Sequence, residues 1–494
     1  MNANLYECLG CRALLRENQL FKERIAALEK ENSLLRSQLV QQSEKLISQE
    51  GKLARQTEKL SALEERLNTN SRNSSKPPSS DPPTVKPKER KPTGRHRGAQ
   101  NGHEPNPPHE YDEKDITRRV ECVPTVCGNC GATLEGRDQY PEGKIVADLP
   151  EVPPEITEFA LHKLTCSCCG ATTAGEIPKG ESIGGYGPRV AALNALLSCV
   201  FRISIRQIHD LLNRVFNIYI SEGSIVKLQK VVSAAVAAPV EEAKEFVKSA
   251  EYVNSDESGW TIDKKRAWIW TVVAKKVTIF AIRMSRGAQV IKELLGTGFK
   301  GVLGSDRFGA YNVMNCRRQI CFAHLKRDFT KIAERGGESG RIGGALCDAV
   351  DRMFAIRRRI RDGTLSRCEF ITELEPIRRE IESLLGEGDV CPEKRTARTC
   401  RRILKLKEHL WTFARIEGVE PTNNAAERAL RTAVIKRKLS FGSDSEQGAI
   451  FMERILTVAA TCKQQGRDTL DYITNALKSH LRKEKQPSLL PTIN

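Results

Sequence analysis

The chain has 494 residues, of which 39% are hydrophobic and 29% charged, and its 79 Lys and Arg against 62 Asp and Glu give a formal net charge of +17. A chain of this length is too long for one hydrophobic core, so we expect several folded units with connecting segments. The sequence has no apolar run long enough to span a membrane, and its start lacks the pattern of a secretory signal. These features predict a cytoplasmic protein without a membrane role, and the positive charge favours nucleic acid as a partner.

Residues 1–67 carry a heptad pattern that predicts a coiled coil. Asn18 and Asn32 fall on the seam, where a buried amide usually fixes strand number and register. The apolar residues of the two rows are Leu39, Leu46, Leu53, Leu60 and Leu67 on one, and Phe21, Leu28, Leu35 and Leu63 on the other. We expect this segment to join copies of the chain into a homodimer or a higher oligomer, and one long helix packed on its own chain is the alternative.

Residues 68–118 are rich in Ser, Pro and Gly and are basic, which predicts a disordered linker. The linker is either a passive tether or a segment that lies along phosphates.

Residues 119–180 predict a small zinc-binding module, because in a reducing compartment tight cysteine pairs indicate metal ligands rather than disulfides. Two CxxC-Gly sequences lie about 35 residues apart, a spacing that lets four thiolates surround one Zn²⁺. The expected ligands are Cys127, Cys130, Cys166 and Cys169. Cys168 is an alternative ligand, and four thiolates predict a structural rather than a catalytic ion.

Residues 186–250 predict a helical region. Two helical patterns, RISIRQIHDLLNRVF and SEGSIVKLQKVVSAAV, are joined by NIYI, and Ser221 is a plausible N-cap of the second. The spacing suits a DNA-binding helix-turn-helix, and an ordinary helical hairpin produces the same pattern.

After residue 250 the pattern changes to β-rich runs, YVNSD, AWIWTVVA, VTIFAIRM and GVLGSD, with a helical ELLGTGF region before the last. We therefore expect three strands, a helix and a fourth strand within 251–329. Residues 330–418 predict a helical insertion, and 419–480 the second part of the core with C-terminal helices. The expected fold class is multidomain α+β, with an α/β core interrupted by helices.

Three acids stand at informative points of this core. Asp256 ends the first run and Asp306 the fourth, so we expect both at strand ends, and Glu427 should lie about one turn inside a helix capped by Thr422 or Asn423. Such carboxylates suit Mg²⁺, which prefers hard oxygen ligands. Taken singly, the acids could instead be two turn residues and a surface charge paired with Arg431.

The order of strands, helix and acids is that of a ribonuclease H-like core, and the chain resembles the DDE transposases, specifically the IS-sixty-six type of bacterial insertion sequence. The resemblance is carried by NSSKPPSSD at 73–81, RGAQNGH at 97–103, the two CxxC-Gly pairs, SDESGW at 255–260, SDRFGAY at 305–311, CFAHLKRDF at 321–329 and TNNAAERALR at 422–431.

This resemblance implies that Asp256, Asp306 and Glu427 are catalytic ligands of Mg²⁺ or Mn²⁺. It also implies double-stranded DNA, as element ends and as target, for a partner. Small accessory proteins of the same element and a bacterial, nucleoid-associated location are further implications.

Other residues near the acids have open roles. His324 follows Cys321 with an x-x gap and is either a structural histidine or a contact to DNA or to a metal-bound acid. A basic group surrounds the last acid and is either a solvated face or a set of DNA backbone contacts. Its members are Arg428, Arg431, Lys436, Arg437 and Lys438.

The sequence therefore predicts a DNA transposase that binds terminal inverted repeats and catalyses metal-dependent strand cleavage and strand transfer. Two alternatives remain: a catalytically silent DNA-binding regulator derived from a transposase, and a structure-specific nuclease or resolvase with the same core.

Overall fold

A computed structural model describes residues 9–71, 73–74, 111–139 and 142–491. The chain divides into two compact units, Met1–Val85 and Lys86–Asn494. Most of the expected basic linker, with the RGAQNGH motif and most of NSSKPPSSD, lies outside the described residues.

The first unit consists mainly of one 59-residue helix, α1 (Leu9–Leu67). The helix predicted from the heptad pattern is therefore present. The leucines of the heptad rows, such as Leu39, Leu46 and Leu53, are exposed on it. An exposed apolar row along a long helix is typical of a surface that packs against a partner helix. The expected self-association stays a prediction.

The second unit begins with the cysteine-rich segment. Its regular structure is one antiparallel pair, β1 (Lys163–Thr165) and β2 (Thr172–Ala174), which brackets the second CxxC sequence. Most of its described side chains are exposed, so the segment has little hydrophobic core of its own.

Four helices follow. Both helices of the expected pair are present. Ser204 caps the first by accepting from Gln207 N–H, and Ser221 caps the second by accepting from Ser224 N–H. The four are α2 (Pro188–Cys199), α3 (Ile205–Val215), α4 (Glu222–Ala235) and α5 (Ala237–Lys248).

A five-stranded mixed sheet forms the centre of the unit, in the order β5-β4-β3-β6-β7. The first strand of the sheet in sequence is thus its middle strand, antiparallel to β4 and parallel to β6. The elements are β3 (Tyr252–Ile262), β4 (Lys265–Val273), β5 (Thr278–Arg283), α6 (Ala288–Leu295), β6 (Val302–Ser305) and β7 (Arg317–Ile320).

Two details differ from the sequence-based expectation. Asp256 does not end a strand, because β3 continues to Ile262 and its polar residues pair with β4, Asp256 opposite Thr271. A fifth strand, β7, was not expected: it is short, begins with Arg317 and Arg318, and so lacks an apolar run.

Helices replace strands for about the next hundred residues, as predicted. They enclose a second hydrophobic cluster around Leu346, Phe370 and Trp411. The helices are α7 (Phe322–Ala333), α8 (Gly337–Arg361), α9 (Arg367–Asp389), α10 (Lys394–Leu404) and α11 (Thr412–Arg415). The first and last residues of this helical insertion are in contact, because Phe322 N–H donates to the Pro421 carbonyl at 2.9 Å.

Three helices complete the unit: α12 (Asn424–Ser440), α13 (Glu446–Gln465) and α14 (Thr469–Arg482). Together with α2–α5 they share one hydrophobic cluster with the sheet, so that Leu212, Trp270 and Ile455 belong to the same core.

The edge strand β5 is covered by α13 through a ladder of side-chain contacts. The amides of Thr278, Phe280 and Ile282 donate to Thr461 Oγ1, Thr457 Oγ1 and Glu453 Oε1, at 3.1, 3.0 and 3.0 Å. Every second strand residue thus meets every fourth helix residue, because these two spacings are nearly equal in length. The ladder occupies donors that an open sheet edge would offer to another chain.

In the described part of the chain no single helix has both the length and the apolar character needed to cross a membrane. Among the described helices, α4 and α5 meet these criteria as a pair bent by 47°.

Candidate active site

Asp256 and Asp306 meet through the register of two parallel strands. β3 pairs with β6 so that Tyr252 lies opposite Val302 and Asn254 opposite Gly304. Asp256 and Asp306 each lie two residues beyond the last of these pairs, and Asp306 directly follows the end of β6 as expected. The two acids are close enough for the charge of Asp306 to raise the pKa of Asp256.

Glu427 reaches the same site from the first turn of α12, whose N-cap is Asn423. The helix is fixed to the central strand near its other end, where the Arg437 guanidinium donates to the Gly259 carbonyl and, at 3.3 Å, to Ser258 Oγ. The segment after the helix is also tied to this strand, since Ser443 N–H donates to the Thr261 carbonyl at 3.0 Å. Strand and helix thus hold Glu427 at a defined place.

The charges of these acids act on one another. Burial raises the pKa of Asp256 well above its ordinary value of 3.8, and the carboxylates of Glu257, Asp306 and Glu427 raise it further. The site therefore concentrates negative charge around a carboxyl group that is costly to ionise alone. A divalent cation with oxygen ligands fits this charge and this donor set.

Glu257, the neighbour of Asp256, is a fourth acid that sequence reasoning missed. Its side chain is buried, accepts a hydrogen bond from Tyr311 Oη at 2.5 Å and is paired with Arg286 at 2.7 Å. Burial raises the pKa of Glu257, and its two partners oppose that rise. Arg286 also lies over the ring of Phe308, at 4.0 Å from its centroid. The SDRFGAY stretch is the sequence signal that could have revealed this acid. Its Tyr311 donates to Glu257, and its Phe308 packs against Arg286, the other partner of Glu257.

A short turn directly after β6 fixes the side chain of Asp306. Its Oδ1 accepts a hydrogen bond from Phe308 N–H at 2.8 Å, which fixes the carboxylate. From the unexpected strand β7, Arg318 donates to Ser305 Oγ at 3.0 Å and to the Asp306 carbonyl at 3.3 Å. Arg318 is 2% exposed and was not recognised from the sequence. Arg318 thereby anchors the side chain before the acid and the acid's own carbonyl.

His324 lies beside the last acid. Its Nδ1 is 3.6 Å from Glu427 Oε1, and both atoms are buried and make no hydrogen bond. Burial lowers the pKa of His324, the charge of Arg327 lowers it further, and the acids Asp306 and Glu427 oppose the shift. Of the two roles considered, contact with a site acid agrees with this geometry.

Cys321 completes a group that the sequence did not reveal. Ligand atoms of Cys321, His324 and Glu427 all lie within 4.8 Å of one another, the one such group of three or more found among the described residues. Burial raises the pKa of the Cys321 thiol to about 11, opposed by the backbone N–H groups of Asn423 and His324.

The five basic residues expected to meet DNA differ in their surroundings. Arg428 and Arg431 are exposed on α12, and no ion pair between Arg431 and Glu427 is present in the described residues. Lys436 is half-buried, and burial lowers its pKa. Arg437 is already engaged by β3, while Lys438 is exposed. Direct DNA contact by these side chains stays a prediction.

The two CxxC sequences form matching turns. Gly131 N–H donates to the Cys127 carbonyl and Gly170 N–H to the Cys166 carbonyl, both at 2.9 Å. Within each turn the surrounding backbone N–H groups, and then the second thiol, Cys130 or Cys169, lower the pKa of Cys127 and Cys166. The geometry thus agrees with the preference for Cys169 over Cys168. The two pairs do not converge into one four-sulfur group here, so the zinc assignment stays a prediction.

Comparisons with known proteins extend over much of the chain. Residues 184–450 match the family described as Transposase IS66 family, and residues 19–108 match a family of unknown function, DUF6444. Uncharacterized protein y4hP of Sinorhizobium fredii (strain NBRC 101917 / NGR234) is 26% identical over 414 residues, 74% of this chain and 72% of that protein. Uncharacterized protein y4qI of the same strain is 27% identical over 272 residues, 47% of this chain and 48% of that protein, so this match spans about half of each. Because the family match covers more than half of the residues and includes Asp256, Asp306 and Glu427, the chain belongs to the Transposase IS66 family.

Proposed function

We propose that this chain is an active DNA transposase in which Asp256, Asp306 and Glu427 hold divalent metal ions for strand cleavage and strand transfer. The observation that carries the proposal is the meeting of three acids from a central strand, the adjacent strand end and a helix. The mutual effect of their charges on Asp256 supports a cation as the natural partner of the group.

Mg²⁺ or Mn²⁺ at these carboxylates would supply activation of a water or 3′-hydroxyl and stabilisation of the leaving oxygen. The protein's own contribution is alignment. The parallel pairing of β3 with β6 brings the ends that carry Asp256 and Asp306 together. The bond from Phe308 N–H orients Asp306, and the Arg437 bond to β3 holds the helix that carries Glu427. Exposed Arg428 and Arg431 are suited to bind backbone phosphates beside the acids.

The test is an Asp306→Asn exchange assayed on labelled DNA carrying the terminal repeats of the element. With Mg²⁺ or Mn²⁺ we expect the wild type to cut and join this DNA, and the variant to lose at least about 1,000-fold in cleavage rate, as expected when a metal ligand is lost, while still binding DNA. The matched control is Asp263→Asn, the same exchange at an exposed turn after β3 where Asn tolerates the positive φ of 48°. Equal cleavage by both variants would refute the assignment.

Glu427→Gln, with exposed Glu446→Gln on α13 as its control, tests the third acid in the same assay. Loss of cleavage with retained DNA binding is the expected result. A wild type that binds the repeats and never cuts, with either metal, would instead favour the silent regulator.

The outer regions complete the proposal. We infer that 1–67 joins two or more chains, 119–180 binds a structural Zn²⁺ and 186–250 contacts DNA through α3 and α4. The exposed heptad leucines, the matched CxxC turns and the two capped helices support these roles. Accessory proteins of the same element and a location at the bacterial nucleoid belong to the same hypothesis.

A further inference from the structure

Cys321 and His324 belong to one turn at the start of α7. Cys321 is the N-cap and His324 the third residue of the helix, a spacing that brings both side chains to one side of the turn. Glu427 approaches from α12, so the group unites two separate helices. A thiol, an imidazole and a carboxylate are together a donor set that Zn²⁺ binds well and that Mg²⁺ does not select.

The separation of the atoms fits ligation better than hydrogen bonding. His324 Nδ1 and Glu427 Oε1 are 3.6 Å apart, beyond ordinary hydrogen-bond length. Two ligands bound at 2.0–2.1 Å to a tetrahedral ion lie about 3.4 Å apart. The observed separation is thus close to an edge of a zinc coordination sphere, and the 4.8 Å limit on the whole group leaves Cys321 within reach of the same centre.

Unsatisfied polar atoms give a second, independent indication. His324 Nδ1 and Glu427 Oε1 are buried without a hydrogen-bond partner, and so are both side-chain polar atoms of Asn423, a residue with no exposed surface. The backbone N–H of Asn423 faces the Cys321 sulfur. Buried polar atoms without partners are costly, so the unpaired His324 Nδ1 and Glu427 Oε1, 3.6 Å apart, indicate a bound species.

We propose that Cys321, His324 and Glu427 form a binding site for a thiophilic divalent cation, Zn²⁺ above all, distinct from the CxxC pairs and sharing Glu427 with the catalytic acids. Binding forms a sulfur–metal bond and releases the thiol proton to solvent. Three protein ligands leave one position of a tetrahedral ion for water. Because one carboxylate serves both sites, an ion held here withdraws Glu427 from catalysis.

Co²⁺ is the probe for this site, since a cobalt–thiolate bond absorbs in the near ultraviolet. The full chain first receives Cys127→Ser, Cys130→Ser, Cys166→Ser and Cys169→Ser, so that the CxxC pairs cannot contribute. One equivalent of Co²⁺ should then still give a thiolate band with the intensity of a single sulfur. His324→Gln and Cys321→Ser should each remove this band.

The matched control is Cys347→Ser, the same exchange at a half-buried cysteine of α8 outside the group. This variant should keep the band. No band in the protein without CxxC pairs, or a band that survives both Cys321→Ser and His324→Gln, would overturn the proposal. Zinc content provides a second measurement with the CxxC pairs intact: His324→Gln should bind one equivalent fewer than the wild type, and equal contents would count against the site.

The inhibitory consequence rests on the proposed function and is tested separately. In the Mg²⁺-dependent cleavage assay, Zn²⁺ should inhibit the wild type, and Cys321→Ser should raise the half-inhibiting concentration at least about tenfold, the effect of losing one of three protein ligands. Unchanged inhibition would refute the coupling to Glu427. Metal binding itself is read by absorption and metal content, so a protein that never cleaves DNA still answers the question of the site.

Discussion

Asp256 is the residue at which stability and proposed function oppose each other most directly. It lies within the central strand next to Glu257, and its pKa is raised mainly by burial and then by the neighbouring carboxylates of Glu257, Asp306 and Glu427. In its ionised form it costs the metal-free fold free energy. Active sites commonly retain such unfavourable groups because the reaction needs them.

We predict that Asp256→Asn raises the melting temperature of the metal-free protein by a few degrees, the shift expected for about 1 kcal/mol. The neutral amide keeps the shape of the side chain and removes the repulsion. Thermal unfolding in a chelating buffer measures the effect, with Asp263→Asn as the surface control. Added Mg²⁺ should stabilise the wild type and leave Asp256→Asn unchanged, and a destabilised variant would contradict the electrostatic account.

The pH dependence of stability follows from the same group. A carboxyl whose pKa is raised in the folded state binds its proton more tightly there, so its stabilising contribution is present below the ordinary value of 3.8 and is lost as pH rises through the higher folded value. The melting temperature of the metal-free wild type should therefore fall, relative to that of Asp256→Asn, as pH rises above the ordinary carboxyl value of 3.8. A difference that stays constant as pH rises from that value would contradict the raised pKa.

At the scale of elements, the contact between α13 and β5 shows how side chains can complete a sheet. Thr457 accepts the Phe280 amide and donates its own proton to the Glu453 carbonyl at 2.7 Å. Both capacities of the hydroxyl are thus used, and Thr457 has no exposed surface. Thr461 accepts the Thr278 amide and donates to the Thr278 carbonyl at 3.0 Å. The Glu453 carboxylate accepts the Ile282 amide and is paired with Arg283, so the strand is bound along its whole length.

We predict that Thr457→Val destabilises the fold by about 1–3 kcal/mol, because the Phe280 amide remains buried without an acceptor. Urea unfolding gives the free energy. Thr474→Val on α14 is the matched control, since its buried hydroxyl donates only to the Leu470 carbonyl and accepts no strand amide. Equal losses in the two variants would indicate a general cost of removing a helical hydroxyl, not the ladder.

The elements that sequence reasoning found are those with strong periodicity or clear caps. The long α1, the pair α3 and α4, and the strands around Trp270, Phe280 and Leu303 have regular patterns and were predicted correctly. The outer half of β3 was missed because Ser255 to Gly259 are polar or small and resemble a turn. Pairing with β4 overrides that local preference.

The predicted site shows the same division. The three acids could be found from their order and from family-like motifs, which require no knowledge of packing. The bond between Arg437 and Gly259, the pair of Glu257 with Tyr311, and the approach of Cys321 to Glu427 depend on distant parts of the chain meeting. Such contacts have no signature in one sequence, because residues 54 or more positions apart carry no common period.

At the scale of the whole molecule, the unit that contains α1 is the part of the chain that we expect to bring copies together. A single helix with exposed heptad leucines gains little stability alone, whereas burial of these rows between chains stabilises the helix and the oligomer at once. Transposition of one element requires action at two ends, so a coupled pair of chains suits the proposed function.

We predict that Leu46→Glu combined with Leu53→Glu abolishes or strongly weakens self-association, because two charges would be buried in each chain's seam. Light scattering of the full chain measures the mass. Ser48→Glu, an exchange on the same helix away from both heptad rows, should keep the oligomer. A wild type that is monomeric at micromolar concentration would contradict the coiled-coil hypothesis.

The meeting of Phe322 and Pro421 gives the chain a particular path. The helical insertion between them has its own hydrophobic cluster, and it begins and ends beside the acids. Residues added to or removed from α8, α9 or α10 would change the length of the insertion without moving Phe322 relative to Pro421. Insertions and deletions in these helices should therefore leave the geometry at Glu427 unchanged. A circular permutation with its new termini in a loop far from Phe322 and Pro421 should likewise keep the fold around the acids.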